Sequence, residues 1–291
     1  MPAAMKQLIV NADDLGADEA RSRGIFEAIE AGVVTSVSLL ANGPALNDAL
    51  RRIRSLGSNK ISFGLHLNLS EGRPLSSDLR ILVGPDGSFL GKAATHRLLM
   101  QDGDTALREE VSRELSAQIE VLRNVGIGIQ HIDGHQHVHV FPAVRRTVVQ
   151  QAEGHGMPWI RIPEETFPLD QREDIPASLK EEALLFSKMA GTARHELNGT
   201  GIRTTDHFRG LFLRGRLSLM TLEKALRVLP SGLTELMVHP GRVPAAAPAS
   251  PFSTFSNRDR EQELEALLSQ RFREILEIEN IDLTPFPEIV R

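Results

Sequence analysis

Short β-branched or apolar runs alternate with longer stretches of helical periodicity along most of the chain. This alternation restricts the fold more than any other feature, because βα units bury both of their layers only around a parallel sheet. Residues 7–11 read as a first strand, followed by a helix from about Asp18 to Ala31, a strand Ser36–Ala41, a helix from Pro44 to Leu56 and a strand Ile61–Leu67. A strong helix is predicted over Thr105–Val125, where Leu107, Val111, Leu115, Ile119 and Leu122 recur on one face. Further strands are expected at Ile129–Asp133, Trp159–Ile162, Glu235–Val238 and within Ile281–Phe286. Helices are expected near Pro142–Glu153, Leu179–Met189, Ser218–Leu229 and Arg258–Ile278. For 291 residues, this pattern favours an α/β fold of one domain, a distorted or incomplete (β/α) TIM-like barrel, over a doubly wound open sheet.

Three stretches rich in turn residues interrupt the rhythm, near 70–103, 163–176 and 241–256, and are expected to be lids. The third ends at Ser256-Asn257-Arg258-Asp259, which reads as a capping-box start for the next helix.

Composition narrows the chemistry. With no cysteine, thiolate metal sites, disulfides and a cysteine nucleophile are excluded, and any metal must rest on nitrogen and oxygen. The formal net charge of −5 and the lack of a Lys/Arg block argue against nucleic acid and acidic membranes as partners. Apolar runs fall short of the roughly 18 residues that span a bilayer, and Met1–Val10 lacks the layout of a secretory signal, so the expected compartment is the cytoplasm.

Acids and histidines gather where strands are predicted to end. Asp13-Asp14, His66, the run His131-Ile132-Asp133-Gly134-His135-Gln136-His137-Val138-His139, and His239 before Pro240-Gly241 each end or follow a strand. In βα barrels those ends converge on the face that carries the active site. Adjacent carboxylates at 13 and 14 are awkward unless a cation or a shared proton relieves them, although one of them could simply cap the next helix. Period-two alternation puts Ser62, Gly64, His66 and Asn68 on one face of their strand, leaving space for a ligand beside His66. If one strand ran through the whole 131–139 series, same-side positions would be about 6.6 to 6.8 Å apart. Ligand bonds of about 2.0 to 2.2 Å then let at most about two neighbours reach one ion, so the others must orient ligands, contact substrate or pack. His239 reads as a general acid or base, or as a capped strand end. Asp206-His207 suits a polar ligand and equally a structural hydrogen-bond network. His96, His155 and His195 read as surface residues, and Trp159, the only tryptophan, as core rather than a sugar-stacking platform.

Taken together, Asn11-Ala12-Asp13-Asp14-Leu15-Gly16, Gly64-Leu65-His66-Leu67-Asn68-Leu69, the 131–139 run and Val238-His239-Pro240 resemble the YdjC-type carbohydrate deacetylase family. The resemblance implies a distorted barrel that removes acetyl groups from N-acetylated sugars with a divalent metal, magnesium by family habit. It implies Asp14, His66 and His135 as metal ligands, Asp13 as general base and His239 as general acid. Asn68, Asp133, His137, His139, Asp206 and His207 are left to substrate contact or ligand support. Two imidazoles and a carboxylate would by their chemistry favour zinc or another transition metal. The partner expected is a small-molecule or oligosaccharide substrate, with a homodimer left open. The competing readings are another metal-dependent barrel enzyme, such as a sugar isomerase or phosphoesterase, and a sugar-binding protein without turnover.

Overall fold

A computed structural model describes residues 5–57, 61–167, 175–244, 252 and 258–288. Its first strand, β1 (Lys6–Leu15), is buried from Leu8 onward and runs on through the two aspartates that were expected to follow it. In chain order come α1 (Glu19–Glu30), β2 (Ser36–Leu39), α2 (Leu46–Ser55), β3 (Ser62–Leu67), α3 (Lys92–Leu99), α4 (Thr105–Asn124) and β4 (Ile129–Gly134). A tight 3₁₀ segment, His135–Val140, leads to α5 (Arg145–Gly154), β5 (Trp159–Ile160), α6 (Ala177–Glu196), β6 (His207–Arg209) and α7 (Leu219–Arg227). The chain closes with β7 (Gly232–Val238), α8 (Arg258–Leu268), α9 (Gln270–Ile278) and β8 (Ile281–Leu283).

All strand pairs are parallel, in the order β5-β4-β3-β2-β1-β7-β6. Along one edge of β1, Lys6–Leu8 pair with β8 and Asn11–Leu15 pair with β2. Beyond β5, among the described residues, the sheet is extended only by a bridge from Trp159 to Arg203, so it curls with helices around it but stays open, an incomplete TIM-like barrel. The predicted apolar stripe of α4 is the face it buries: Leu107, Val111, Leu115, Ile119 and Leu122 are all at most 4% exposed. The helix expected over Arg258–Ile278 is two helices. Ser269 leaves helical geometry and its hydroxyl accepts from the Phe272 N–H, capping α9.

The stretch near 70–103 is fastened to the barrel. Buried Glu114 accepts from the N–H groups of Leu75 and Ser76, and buried Glu110 from those of Arg80, Ile81 and Leu82. Hydrogen bonds to a charged partner contribute about 1.5–3 kcal/mol each. A segment held by five of them is not a free lid, and it also contains α3, which turn residues hid from the sequence reading. Most of the other two stretches, and the residues Ser256-Asn257 of the expected capping box, lie outside the described residues.

Side chains close the barrel from below. Phe286 donates its backbone N–H to Ser62 Oγ at 3.1 Å and stacks on the His131 ring at 4.2 Å, while Trp159 packs against Phe286 and gives its indole N–H to the Pro287 carbonyl. Trp159 is therefore core. Gly64 on β3 makes room for this layer, since a Cβ there would stand 2.2 Å from His131 Nε2.

Candidate functional site

The C-terminal ends of the strands surround a cavity of about 530 Å³ lined by, among others, Asp13, Asp14, His66, His135, His137 and His239. Both aspartates reach it because β1 carries one extra residue against β2: Ala12 pairs with Val37 but Leu15 with Leu39. Asp14 takes a left-handed conformation, φ 68°, which turns two neighbouring side chains toward one end of the sheet.

The pair was expected to need a cation or a shared proton, and cations relieve it: each carboxylate meets a guanidinium. Arg161 reaches Asp13 through two bonds of 2.7 Å, and Asn11 also donates to Asp13 Oδ1. Arg260 donates to Asp14 Oδ2 at 2.6 Å, with Arg21 3.7 Å from the same oxygen.

That leaves Asp14 Oδ1 facing His135 Nδ1 at 2.9 Å and His66 Nε2 at 3.3 Å, three ligand atoms within 4.8 Å of one another. The far nitrogen of each ring meets another carboxylate: His66 Nδ1 lies 2.7 Å from Asp133 Oδ1, and His135 Nε2 lies 3.0 Å from Glu71 Oε2. When those far nitrogens carry the protons, the near nitrogens and Asp14 Oδ1 direct lone pairs at one point, the arrangement that a divalent cation satisfies. The donor set therefore fits a divalent metal. Without one, protons do the work. Burial opposes charge on His66, but Asp133 and Asp13 outweigh it and push the imidazole up to about 10. His135 is likewise raised, by Asp14 against burial. Burial would raise Asp14, yet His135 and Arg260 hold it well below the usual carboxylate range. A second cluster, Asp13, His66 and Asp133, is less suited to an ion, because Arg161 already stands 2.7 Å from Asp13 and 2.9 Å from Asp133.

His239 follows β7, whose register with β1 sets Val238 beside Ala12 and brings His239 Nε2 to 3.9 Å from Asp13 Oδ2. Its backbone N–H donates to Glu263 Oε2 at 2.6 Å. Burial first, then Arg260, pushes the imidazole down to about 3.

The 131–139 run does not behave as one strand. β4 stops at Gly134, and Gln136 and His137 adopt φ of 53° and 59°, so the alternation that was counted through His139 breaks at His135. His131 lies in the layer below, and burial pushes it down to about 3. Asp133 supports His66 and accepts from Ser38 Oγ at 2.6 Å. His137, 4% exposed, reaches the cavity, whereas His139 turns away to the Arg161 carbonyl. Asn68 shapes the following turn, its Oδ1 accepting from the N–H groups of Ser70 and Glu71.

Two expectations are corrected. His207 is the first residue of β6 and Asp206 precedes it, so both lie at the opposite end of the strands from the cavity. There Asp206 accepts from the Leu233 N–H and His207 Nε2 lies 3.1 Å from the Ser231 carbonyl, which ties down the start of β7. His96 is not a plain surface residue either. It packs 4.7 Å from the Phe141 ring and 5.9 Å from that of Phe186, and burial pushes it down to about 4.

Sequence reasoning missed Arg161, Arg260, Glu71 and Glu263. Arg161 had a signal: in Trp159-Ile160-Arg161-Ile162 it shares the period-two face of Trp159, and a lone arginine in an apolar strand pattern needs a buried partner. It meets three, because Glu235 Oε1 also accepts from its Nε at 2.8 Å. Arg260 and Glu263 sit on α8 more than 240 residues from Asp14, with no local pattern to betray them.

The family model for YdjC-like protein matches residues 7–278. A mouse carbohydrate deacetylase is 38% identical over 84% of this chain and 80% of its own length, and a human one is 39% identical over 81% and 75%. One from Xenopus laevis is 33% identical over 97% and 98%. A crystal structure of a putative cellobiose-phosphate cleavage protein from Enterococcus faecalis superposes with a TM-score of 0.75 at 24% identity, covering 97% of this chain and 98% of that one, and shares the fold. With the family model running from β1 to the end of α9, and relatives of this identity over most of their length, the chain belongs to the YdjC-like family.

Proposed function

We propose that this protein is a hydrolase that removes the acetyl group from an N-acetylated sugar. The observation that carries the reading is the convergence of Asp14, His66 and His135 on one point in the wall of a cavity that Asp13 and His239 also line. Its relatives bear the name carbohydrate deacetylase, which supplies the substrate class.

A divalent ion held by Asp14, His66 and His135 would polarise the acetamide carbonyl and make water more acidic. Two imidazoles with one carboxylate favour zinc or another transition metal by ligand type, against magnesium by family resemblance.

The chain's own groups handle the protons. Asp13, fixed by Arg161 and Asn11, takes the proton of the attacking water as the new C–O bond forms. The C–N bond then breaks, and the amine must leave protonated. His239 is neutral at rest and cannot begin as the acid. It serves by relaying to the amine the proton that Asp13 has taken, through a water that bridges the 3.9 Å between them. The products are acetate and the free amino sugar.

Acetate release from N,N′-diacetylchitobiose by protein loaded with each ion in turn tests the reading. Full turnover after exhaustive chelation would overturn it.

A further inference from the structure

Glu71 is a side chain at the site that neither the sequence pattern nor the reaction uses. It follows β3 in a turn that Asn68 builds: Asn68 Oδ1 accepts from the Ser70 and Glu71 N–H groups, and Asn68 Nδ2 donates to the Glu71 carbonyl at 2.7 Å. The backbone of Glu71 is thereby placed and its carboxylate is aimed. Each oxygen meets a neighbour in the chain after β4, and the carboxylate also acts electrostatically on the buried Arg21 guanidinium. Oε2 lies 3.0 Å from His135 Nε2, and Oε1 accepts from Gln136 Nε2 at 2.9 Å.

The segment it grips has an unusual backbone. Gln136 and His137 are consecutive residues with side chains in the left-handed region, a conformation that persists only where surroundings enforce it. The turn has two products: His135 Nδ1 faces Asp14 Oδ1, and the next histidine, His137, is delivered to the cavity 4.8 Å from the Phe186 ring.

We propose that Glu71 is a positioning residue that clamps this turn with its two oxygens. Through Oε2 it takes the His135 Nε2–H, which leaves the Nδ1 lone pair for the metal. Through Oε1 it holds Gln136 in the left-handed turn that sends His137 toward the substrate. Asp133 does the first of these jobs for His66 and has no counterpart of the second. The metal half of the inference rests on the site reading above.

The test begins with metal-free protein titrated with zinc alone against a chromophoric chelator. Glu71→Ala is expected to weaken zinc binding about 10- to 100-fold, the usual range for loss of a carboxylate behind a ligating imidazole. Glu71→Gln keeps the shape but offers one acceptor oxygen to two donors, so about a tenfold loss is expected. In zinc-loaded protein labelled with ¹⁵N-histidine, His135 should be metal-bound at Nδ1 and protonated at Nε2, and that signature should blur in both variants. A third variant separates the two oxygens. Glu71→Ala should also raise KM, because the turn that aims His137 loses its hold; in Glu71→Ala/Gln136→Gly, glycine adopts the positive φ without penalty, so KM should return toward wild type while zinc affinity stays weak. Zinc affinity within twofold of wild type in both single variants, or His135 bound through Nε2, would overturn the proposal. If Glu71→Ala does not fold, the isosteric Glu71→Gln decides it. A wild type that binds zinc but releases no acetate from N,N′-diacetylchitobiose would sink the deacetylase reading and leave the clamp standing. A wild type that binds no zinc would sink the metal site and the clamp together.

Discussion

His131 and His135 lie one turn of chain apart, on and just after the same strand, and the fold gives them opposite chemistry. His131 is in the lower layer, completely buried and covered by Phe286, and burial pushes it down to about 3. His135 is at the upper end, 5% exposed, facing Asp14 and Glu71, and its affinity for a proton is raised. Place alone does not set this chemistry: His239 also follows a strand end, after β7, yet burial and Arg260 push it down to about 3, as burial does His131. Residue type therefore says little in this barrel. What decides is whether carboxylates surround the side chain, as Asp14 and Glu71 do His135, or rings and cations do.

The largest effect that bears on this contrast is expected at the upper end. Asp13→Asn should lower acetate release about 10²- to 10⁴-fold, the usual contribution of a positioned base, while zinc binding by the three ligands persists. Loss of the metal together with the activity would show that Asp13 serves the ligand set instead. The matching cut at the lower end is Phe286→Ala, which removes a fully buried ring from above His131 and Trp159. It should cost about 3–5 kcal/mol in denaturant unfolding. Zinc affinity of the folded fraction should stay unchanged; a parallel loss would mean that the two ends are not separate.

Acidity provides a subtler division. In metal-free protein His66 is pushed up to about 10, above an unfolded value near 6.5, so its stabilising pairing is complete below pH 6.5 and is lost as pH rises toward 10. His131 is pushed down to about 3, so its contribution is complete above pH 6.5 and is lost as pH falls toward 3. His135, also raised, shares the alkaline limb with His66, and the depressed His239 and His96 share the acid limb with His131. His66→Gln should therefore reduce the alkaline loss and leave the acid limb unchanged, and His131→Gln should reduce the acid loss and leave the alkaline limb unchanged. Because an ion must displace the His66 proton, zinc binding at neutral pH should release at least about one proton, read from calorimetry in buffers of different ionisation heat. No release would contradict the carboxylate pairing of that ring.

How much of this was legible follows from the range of the interactions. Most strands, the α4 stripe and the gathering of Asp13-Asp14, His66 and the start of the 131–139 run at one end of the strands rest on local periodicity and on the rule that strand ends converge, whereas the choice of Asp14, His66 and His135 as a ligand set is what the family resemblance implies. The break after Gly134 was not legible, because the left-handed turn at Gln136 and His137 is held by Glu71 from another loop. The charge pairs of Arg161 and Arg260 span 148 and 246 residues, and the sequence carries no mark of which acid each would meet. Asp206 was misplaced for a simpler reason: β6 has three residues, too few for periodicity to show which of its ends Asp206 marks.

That misplacement suggests the smallest and most selective cut. Asp206 Oδ2 accepts from the Leu233 N–H at 2.8 Å on an exposed edge, beside Gly232, whose φ of 104° suits a residue without Cβ. Asp206→Ala removes one acceptor from a backbone N–H that water can reach, so the cost should be only about 0.5–1.5 kcal/mol. The register of β7 on β1 is carried independently by seven residue pairs, from Lys6–Gly232 to Ala12–Val238. His239 should therefore keep its place beside Asp13, with kcat and zinc affinity unchanged in the folded protein. A fall in kcat well beyond the loss of stability would show that Asp206 acts on the chemistry from the far end of the barrel, and would erase the distinction between the two ends on which the assignment of this site depends.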